Sequence, residues 1–311
     1  MKTLLPAAMI FCGLFNTVEP ALAQTWTQTS APTNYWTSVA SSADGKILAA
    51  AVGNLAGGSF PIYVSTNSGT DWTSNNASHG TWLSIASSAD GTKLVAVGLN
   101  GIITSTNSGT TWIKTNVPNN YWESVASSAD GSKLIAGTYG AIYTSMDSGN
   151  TWTSNNIGLG NWTSVASSAD GMNLFANGFN QDYSGPPPSA LSTSTNAGAN
   201  WTYLTNGPNS ISVCCSCDGT KLAAAYGRIV TSTNSGLTWQ LTSAPNAAFS
   251  CIASSADGTR LVAASGVFQS PGPHLHFDKL GKYMDFKQCA QSKMVFRRLI
   301  SRWKQISCGS L

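Results

Sequence analysis

Ten carboxylates lie between Gln24 and Ser270 of this 311-residue chain, and its possible chemistry depends on how many are free to act. Cleaving a glycosidic bond takes an acid and a base or nucleophile roughly 5–10 Å apart. Six of the ten, Asp44, Asp90, Asp130, Asp170, Asp218 and Asp257, sit just before a glycine in a repeated Ser-Ser-Ala-Asp-Gly phrase, with Ser-Cys-Asp-Gly as a variant. A seventh, Asp147, is the third letter of a second repeated phrase. Acids at such positions shape turns. Asp71, Glu123 and Asp182 remain, in three different repeat units, and Asp71 itself falls within a turn phrase. The carboxylates are thus badly placed for paired acid–base work. The thiols of Cys214-Cys215-Ser216-Cys217 have no histidine or second cysteine pair at zinc spacing, and they stand where other units have Ala-Ser-Ser-Ala. The sequence has no nucleophile elbow and no glycine-rich phosphate loop. It therefore offers no catalytic residue, no metal ligand set and no cofactor site.

Side chains suited to binding are easier to find. Tyr35, His79, Tyr121, Asp182 and Tyr183 fall in segments that differ from unit to unit, several of them beside asparagines such as Asn34, Asn76, Asn119 and Asn120. Amides and aromatic rings gathered at one mouth suit a sugar or a peptide.

The elements that would hold them come from a repeat of about forty residues. The aspartates of the Ser-Ser-Ala-Asp-Gly phrase are 46, 40, 40, 48 and 39 residues apart. An eight-letter phrase recurs as Ser65–Trp72, Ser105–Trp112, Ser145–Trp152, Ser194–Trp201 and Ser232–Trp239. Each unit divides into four short β-branched or aromatic segments bounded by Asp-Gly or Asn-Ser-Gly punctuation, with no helix-length apolar stripe. Four antiparallel strands per unit is the pattern of a propeller blade. The sequence therefore predicts an all-β, six-bladed β-propeller of four-stranded antiparallel blades, with seven blades as the alternative. The sixth unit reads Leu261–Ser265 and Val267–Ser270 as its second and third strands, and Thr25–Ser30 as the strand that closes it from the amino terminus. A seventh blade would have to be built irregularly from the tail.

The eight letters resemble the Asp-box, or bacterial neuraminidase repeat, of sialidases, other glycoside hydrolases, sorting-receptor ectodomains and photosystem II assembly propellers. The chain looks closest to exported bacterial repeat propellers, over Gln24 to about Ser270. The turn needs positive φ, for which Gly69, Gly109, Gly149, Gly198 and Gly236 are suited. Asn67, Asn107, Asp147, Asn196 and Asn234 can accept bonds from turn amides. Trp72, Trp112, Trp152, Trp201 and Trp239 are expected to be buried beneath the turns. Asn in four of five copies fits a turn better than a metal site, so these fifteen residues read as structural. The sialidase resemblance implies an arginine triad and a tyrosine–glutamate pair. The body has only Arg228 and Arg260, and Glu123 as its one glutamate, so no catalytic residue carries over.

Charge divides the chain further. Gln24–Ser270 has seven Lys/Arg against ten Asp/Glu, and Pro271–Leu311 has eight against two. The body is no candidate for nucleic acid. Residues 1–23, with Lys2, an apolar run and Ala21-Leu22-Ala23, read as a cleavable signal peptide for a secreted or periplasmic protein. Residues 271–311 read as a basic tail without an assigned function: Phe296, Leu299, Ile300, Trp303 and Ile306 share one side of a helical spacing that would suit a membrane or a partner, and a disordered extension or a drifted repeat fits the same residues equally well. The function expected from all this is an exported, non-catalytic propeller that binds or scaffolds a glycan or protein partner. A divergent glycoside hydrolase of the sialidase/Asp-box type is the alternative. An assembly factor resembling the photosystem II stability propellers comes third.

Overall fold

A computed structural model describes residues 28–53, 58–118, 120–155, 157, 160–179, 189–204, 207–208, 210–265 and 274–278. Every element among them is a strand, and the strands form six antiparallel sheets in chain order. The first sheet is β1 (Trp36–Ser41), β2 (Leu48–Val52), β3 (Phe60–Ser65) and β4 (Thr73–Gly80). The second is β5 (Trp82–Ser87), β6 (Leu94–Gly98), β7 (Gly101–Ser105) and β8 (Ile113–Lys114), and the third is β9 (Trp122–Ser127), β10 (Leu134–Thr138), β11 (Ile142–Ser145) and β12 (Thr153–Asn155). The fourth is β13 (Asn161–Ser167), β14 (Leu174–Phe179), β15 (Ser189–Ser194) and β16 (Thr202–Leu204). The fifth is β17 (Ser212–Cys215), β18 (Leu222–Tyr226), β19 (Arg228–Ser232) and β20 (Gln240–Leu241). The sixth has three strands, β21 (Phe249–Ser254), β22 (Leu261–Ser265) and β23 (His274–Asp278).

Successive sheets stack face to face. The first strands lie side by side in the order β1, β5, β9, β13, β17, β21, and an apolar core fills each gap between neighbouring sheets. Between the second and third sheets, for example, Val95, Val97 and Ile102 meet Trp122, Val125, Leu134 and Ala136. The second strands are enclosed on both faces, so β2, β6 and β10 are buried throughout, while the fourth strands β8 and β20 are exposed. A chain of backbone bonds links the sheets. The amide of Ala43 donates to the carbonyl of Ala89, Ala89 to Ala129, Ala129 to Ala169, Ala169 to Cys217 and Cys217 to Ala256, each at 2.7 Å. Serines repeat the link, since the amides of Ile85, Val125, Val165, Val213 and Ile252 donate to the hydroxyls of Ser38, Ser84, Ser124, Ser164 and Ser212 of the preceding sheet.

Two strand assignments differ from the sequence reading. The third strand of the sixth sheet is His274–Asp278, paired with β22 from Ser265↔His274 to Leu261↔Asp278. Pro271 and Pro273 have no amide hydrogen to donate, so a ladder is favoured only after them, where Leu275 and Phe277 alternate with polar residues. Val267–Ser270 lie outside the described residues. The fourth strand of the first sheet also runs further than expected. It reaches Gly80, which pairs with Phe60, so Asn76 and His79 belong to β4 and its irregular register rather than to a free loop. The proposed closing strand Thr25–Ser30 is described only from Gln28 onward. There Thr29 is buried and the Ser30 hydroxyl donates to the carbonyl of Thr70 in the first sheet.

Candidate functional site

The two families of repeated turns occupy the same end of the first five sheets, and the sixth has the Asp-Gly turn there. The residue before each turn glycine bonds back to the neighbouring Asp-Gly turn, as Ser68 amide to Lys46 carbonyl, Ser108 to Thr92, Ser148 to Ser132, Ala197 to Met172 and Ser235 to Thr220. In each eight-letter turn the first serine is the hub. Ser105 Oγ accepts the Gly109 amide at 2.9 Å and donates to Asn107 Oδ1 at 3.0 Å, while Asn107 Oδ1 also accepts the Thr111 amide at 2.8 Å. The glycines have positive φ, from 77° at Gly109 to 91° at Gly198, as do the residues before them, from 53° at Ser108 to 60° at Ser148. That second left-handed position was not visible in the sequence, which spells it Ser four times and Ala once.

The tryptophans of these turns are only partly enclosed. Trp112 and Trp152 donate from Nε1 to the carbonyls of Gly109 and Gly149 and lie against the inter-sheet cores, with an edge left to solvent. Trp72, Trp201 and Trp239 are likewise intermediate in exposure. The fully enclosed indoles are Trp82, Trp122 and Trp162, at the start of the first strands β5, β9 and β13, each 0–1 % exposed. The turn tryptophans, expected to be buried, are thus the shallower set, and the deeper indoles lie ten residues further along the chain.

The turn acids are occupied. Asp130 accepts the Ser128 hydroxyl at 2.6 Å and the Ser132 amide at 2.9 Å, and these bonds, the Ser128 hydroxyl first, hold its carboxyl down at about 2. Asp257 is held below the usual carboxylate range by the Ser255 hydroxyl and then the Thr259 amide. Asp44 is lowered chiefly by the Lys46 amide, Asp218 by the Ser216 hydroxyl and Asp147 by the Thr151 hydroxyl. At Asp90 and Asp170 burial opposes the shift, but hydrogen bonds led by Ser88 and Ser168 prevail. The thiols are also quiet, because burial pushes Cys214 up to about 12 and Cys215 well above the ordinary thiol range. Among the described residues no three His, Cys, Asp or Glu side chains gather to hold a metal.

Glu123 behaves differently. It lies on β9 just after Trp122, away from both turn families. Burial pushes its carboxyl up, against the lowering bond from the Asn161 side chain of the next sheet. Tyr121 precedes the same strand, and its hydroxyl is raised by burial and by the Glu123 charge. Thr163 adds a buried hydroxyl, and its Oγ1, like Asn161 Oδ1, has no hydrogen-bond partner among the described residues. Tyr139 bridges to Asn161 along the backbone, and its ring is exposed. The third and fourth sheets thus present a carboxylate, an amide and two tyrosine rings at the end opposite the repeated turns. The sequence picked out Tyr121 but ranked Glu123 as a leftover acid, because its contact with Asn161 spans 38 residues.

Of the other expected ligand-face residues, only Tyr35 has a described side chain, and it does not join this group. Tyr35 precedes β1, two sheets away, and is 68 % exposed. His79 lies within β4, and Asp182 and Tyr183 lie outside the described residues. A separate groove of about 500 Å³, absent from the sequence reading, opens between the third and fourth sheets and is lined by Ser154, Asn155, Ser192, Asn200, Trp201 and Tyr203.

No family model and no curated protein matches the sequence. Solved structures do match in shape. A GH74 xyloglucanase from Xanthomonas campestris superposes with TM-score 0.60 at 16 % identity over 79 % of this chain and 45 % of its own. Kuenenia stuttgartiensis hydrazine synthase superposes with TM-score 0.61 at 15 % identity, over 82 % of this chain and 80 % of its own. YCF48 bound to D1 peptide superposes with TM-score 0.60 at 17 % identity, over 86 % of both chains. The chain spans less than half the length of the xyloglucanase. At these identities the likeness is one of fold, and the fold is that of a β-propeller.

Proposed function

We infer that this chain is an exported, non-catalytic propeller module of the Asp-box type, with six blades, whose variable end binds a glycan or peptide partner. The observation that carries the reading is the isolation of Glu123. Seven other carboxylates are tied into turns by hydroxyl and amide donors, and Asp71 lies in an eight-letter turn, so these described acids sit at the end of the sheets away from Glu123, where they do not form the close pair that two-acid hydrolysis needs. A single half-buried carboxylate beside an amide and tyrosine rings suits a ligand rich in hydrogen-bond donors, such as sugar hydroxyls or a peptide amine. The repeated-turn end is nearly the same on every blade and gives a partner little to distinguish.

The test is a glycan and peptide array with the mature chain, run beside a panel of glycosidase substrates. Binding that is lost in Glu123→Gln and Tyr121→Ala supports the reading. Turnover of a glycoside abolished by Glu123→Gln would establish the hydrolase alternative instead.

A further inference from the structure

Five inter-sheet cores join six sheets, and the place where a sixth core would close the ring is open among the described residues. Val39 shows this best. Its counterparts Ile85, Val125, Val165, Val213 and Ile252 are 4–7 % exposed, each packed toward the preceding sheet, whereas Val39 is 49 % exposed. On the facing side, Val262 of β22 is only partly buried, although its counterparts Val95, Ile135, Phe175 and Ala223 are at most 2 % exposed. The backbone chain that starts at Ala43 ends when Cys217 donates to Ala256, and no described bond carries it from Ala256 back to Ala43. Lys93, Lys133 and Lys221 each reach the carbonyl of the next sheet's turn aspartate, but Arg260, at the same position in the sixth sheet, reaches no such carbonyl among the described residues. Cys251 stands exposed where the other sheets place the bonding serine. The open seam is therefore an apolar and hydrogen-bonding surface of the same make as the five filled ones.

We propose that this seam is a docking surface for the chain's own residues 279–311. The chain leaves the sixth sheet at Asp278, which pairs with Leu261 at the repeated-turn end, so the tail begins beside the surface it would cover. Phe296, Leu299, Ile300, Trp303 and Ile306 recur at three- and four-residue steps, enough for one apolar helical face to set against Val39 and Val262. Residues 279–311 carry eight Lys/Arg and one Asp, against the excess of acids in the body, so long-range attraction favours the contact. They contain neither repeated turn phrase. The tail therefore plugs the ring as a different structure rather than adding a seventh copy of the sheet.

The experiment follows alkylation of Cys251 in the folded, reduced full chain, read by peptide mass spectrometry. Docking predicts slow alkylation at every protein concentration, and a rate about tenfold higher in a Phe296→Asp, Trp303→Asp variant, as expected when a local contact is released. Equally fast alkylation in both chains overturns the proposal. So does protection that appears only as the protein dimerises, since a second copy would then be the occupant. If the tail variant does not fold, Val39→Asp in the full chain decides. A fall in Tm of at least about 5 °C supports a covered seam, and an unchanged Tm refutes it.

Discussion

The two ends of this propeller use similar residues for opposite purposes. At the turn end, Ser, Asn, Asp and Gly satisfy one another so fully that seven carboxylates have their protons set by their own turns, as Asp130 does through Ser128 and Ser132. At the loop end, Glu123 meets only part of its needs through Asn161, and burial raises its carboxyl rather than lowering it. One end is closed chemistry and the other is open. A protein this poor in charge can stay stable at one end while leaving unmet hydrogen-bonding capacity at the other.

The sharpest way to break the comparison is to damage first the core that both ends share, and then the closed end itself. Trp122→Ala removes a fully enclosed indole and is expected to lower stability by about 3–5 kcal/mol in chemical denaturation. Gly109→Val comes next. It forces a branched residue to φ 77° and puts a Cβ 2.6 Å from Val64 Cγ2, each an expected cost of about 1–3 kcal/mol. Ser128→Ala leaves the Lys133 amide and the Asp130 carboxylate short of a partner and is expected to cost about 1–3 kcal/mol.

Acid should act on the same end. Carboxyls depressed in the folded state contribute stability that is present above roughly pH 4, where the unfolded chain titrates. That stability is lost as the pH falls through the folded value of about 2 at Asp130. Thermal melts between these limits should show a steady fall in Tm, blunted in Asp130→Asn. At the open end the expected stability change is smallest. Tyr121→Ala and Glu123→Gln should shift unfolding by less than about 0.5 kcal/mol while weakening any ligand found on the array. Binding that needs ionised Glu123 should also weaken as the pH falls, beginning above the usual glutamate range of about 4.3.

The closed end was largely legible in the sequence because it is local. Glycine spacing, the Asn or Asp three letters into each phrase and the strand breaks all act within eight residues, and the six sheets follow from them. Three features were hidden for physical reasons. The role of the first serine depends on a bond to a residue four positions on, which many spellings could satisfy. How deep a tryptophan lies depends on the neighbouring sheet, and that contact is made between one repeat unit and the next. The pairing of Glu123 with Asn161 crosses a sheet boundary and belongs to no repeated pattern, so nothing periodic announces it.

The chain of 2.7 Å bonds from Ala43 to Ala256 has a bearing on ancestry. Every link joins one main-chain amide to one main-chain carbonyl, and Cys217 serves as well as the alanines. Neighbouring units therefore recognise each other without consulting side-chain identity at that point. A duplicated unit would inherit a working connection on both flanks from the moment it arose, and a deleted one would leave its former neighbours able to join. Kinship among such proteins is then better traced by how their sheets are strung together than by how many each contains.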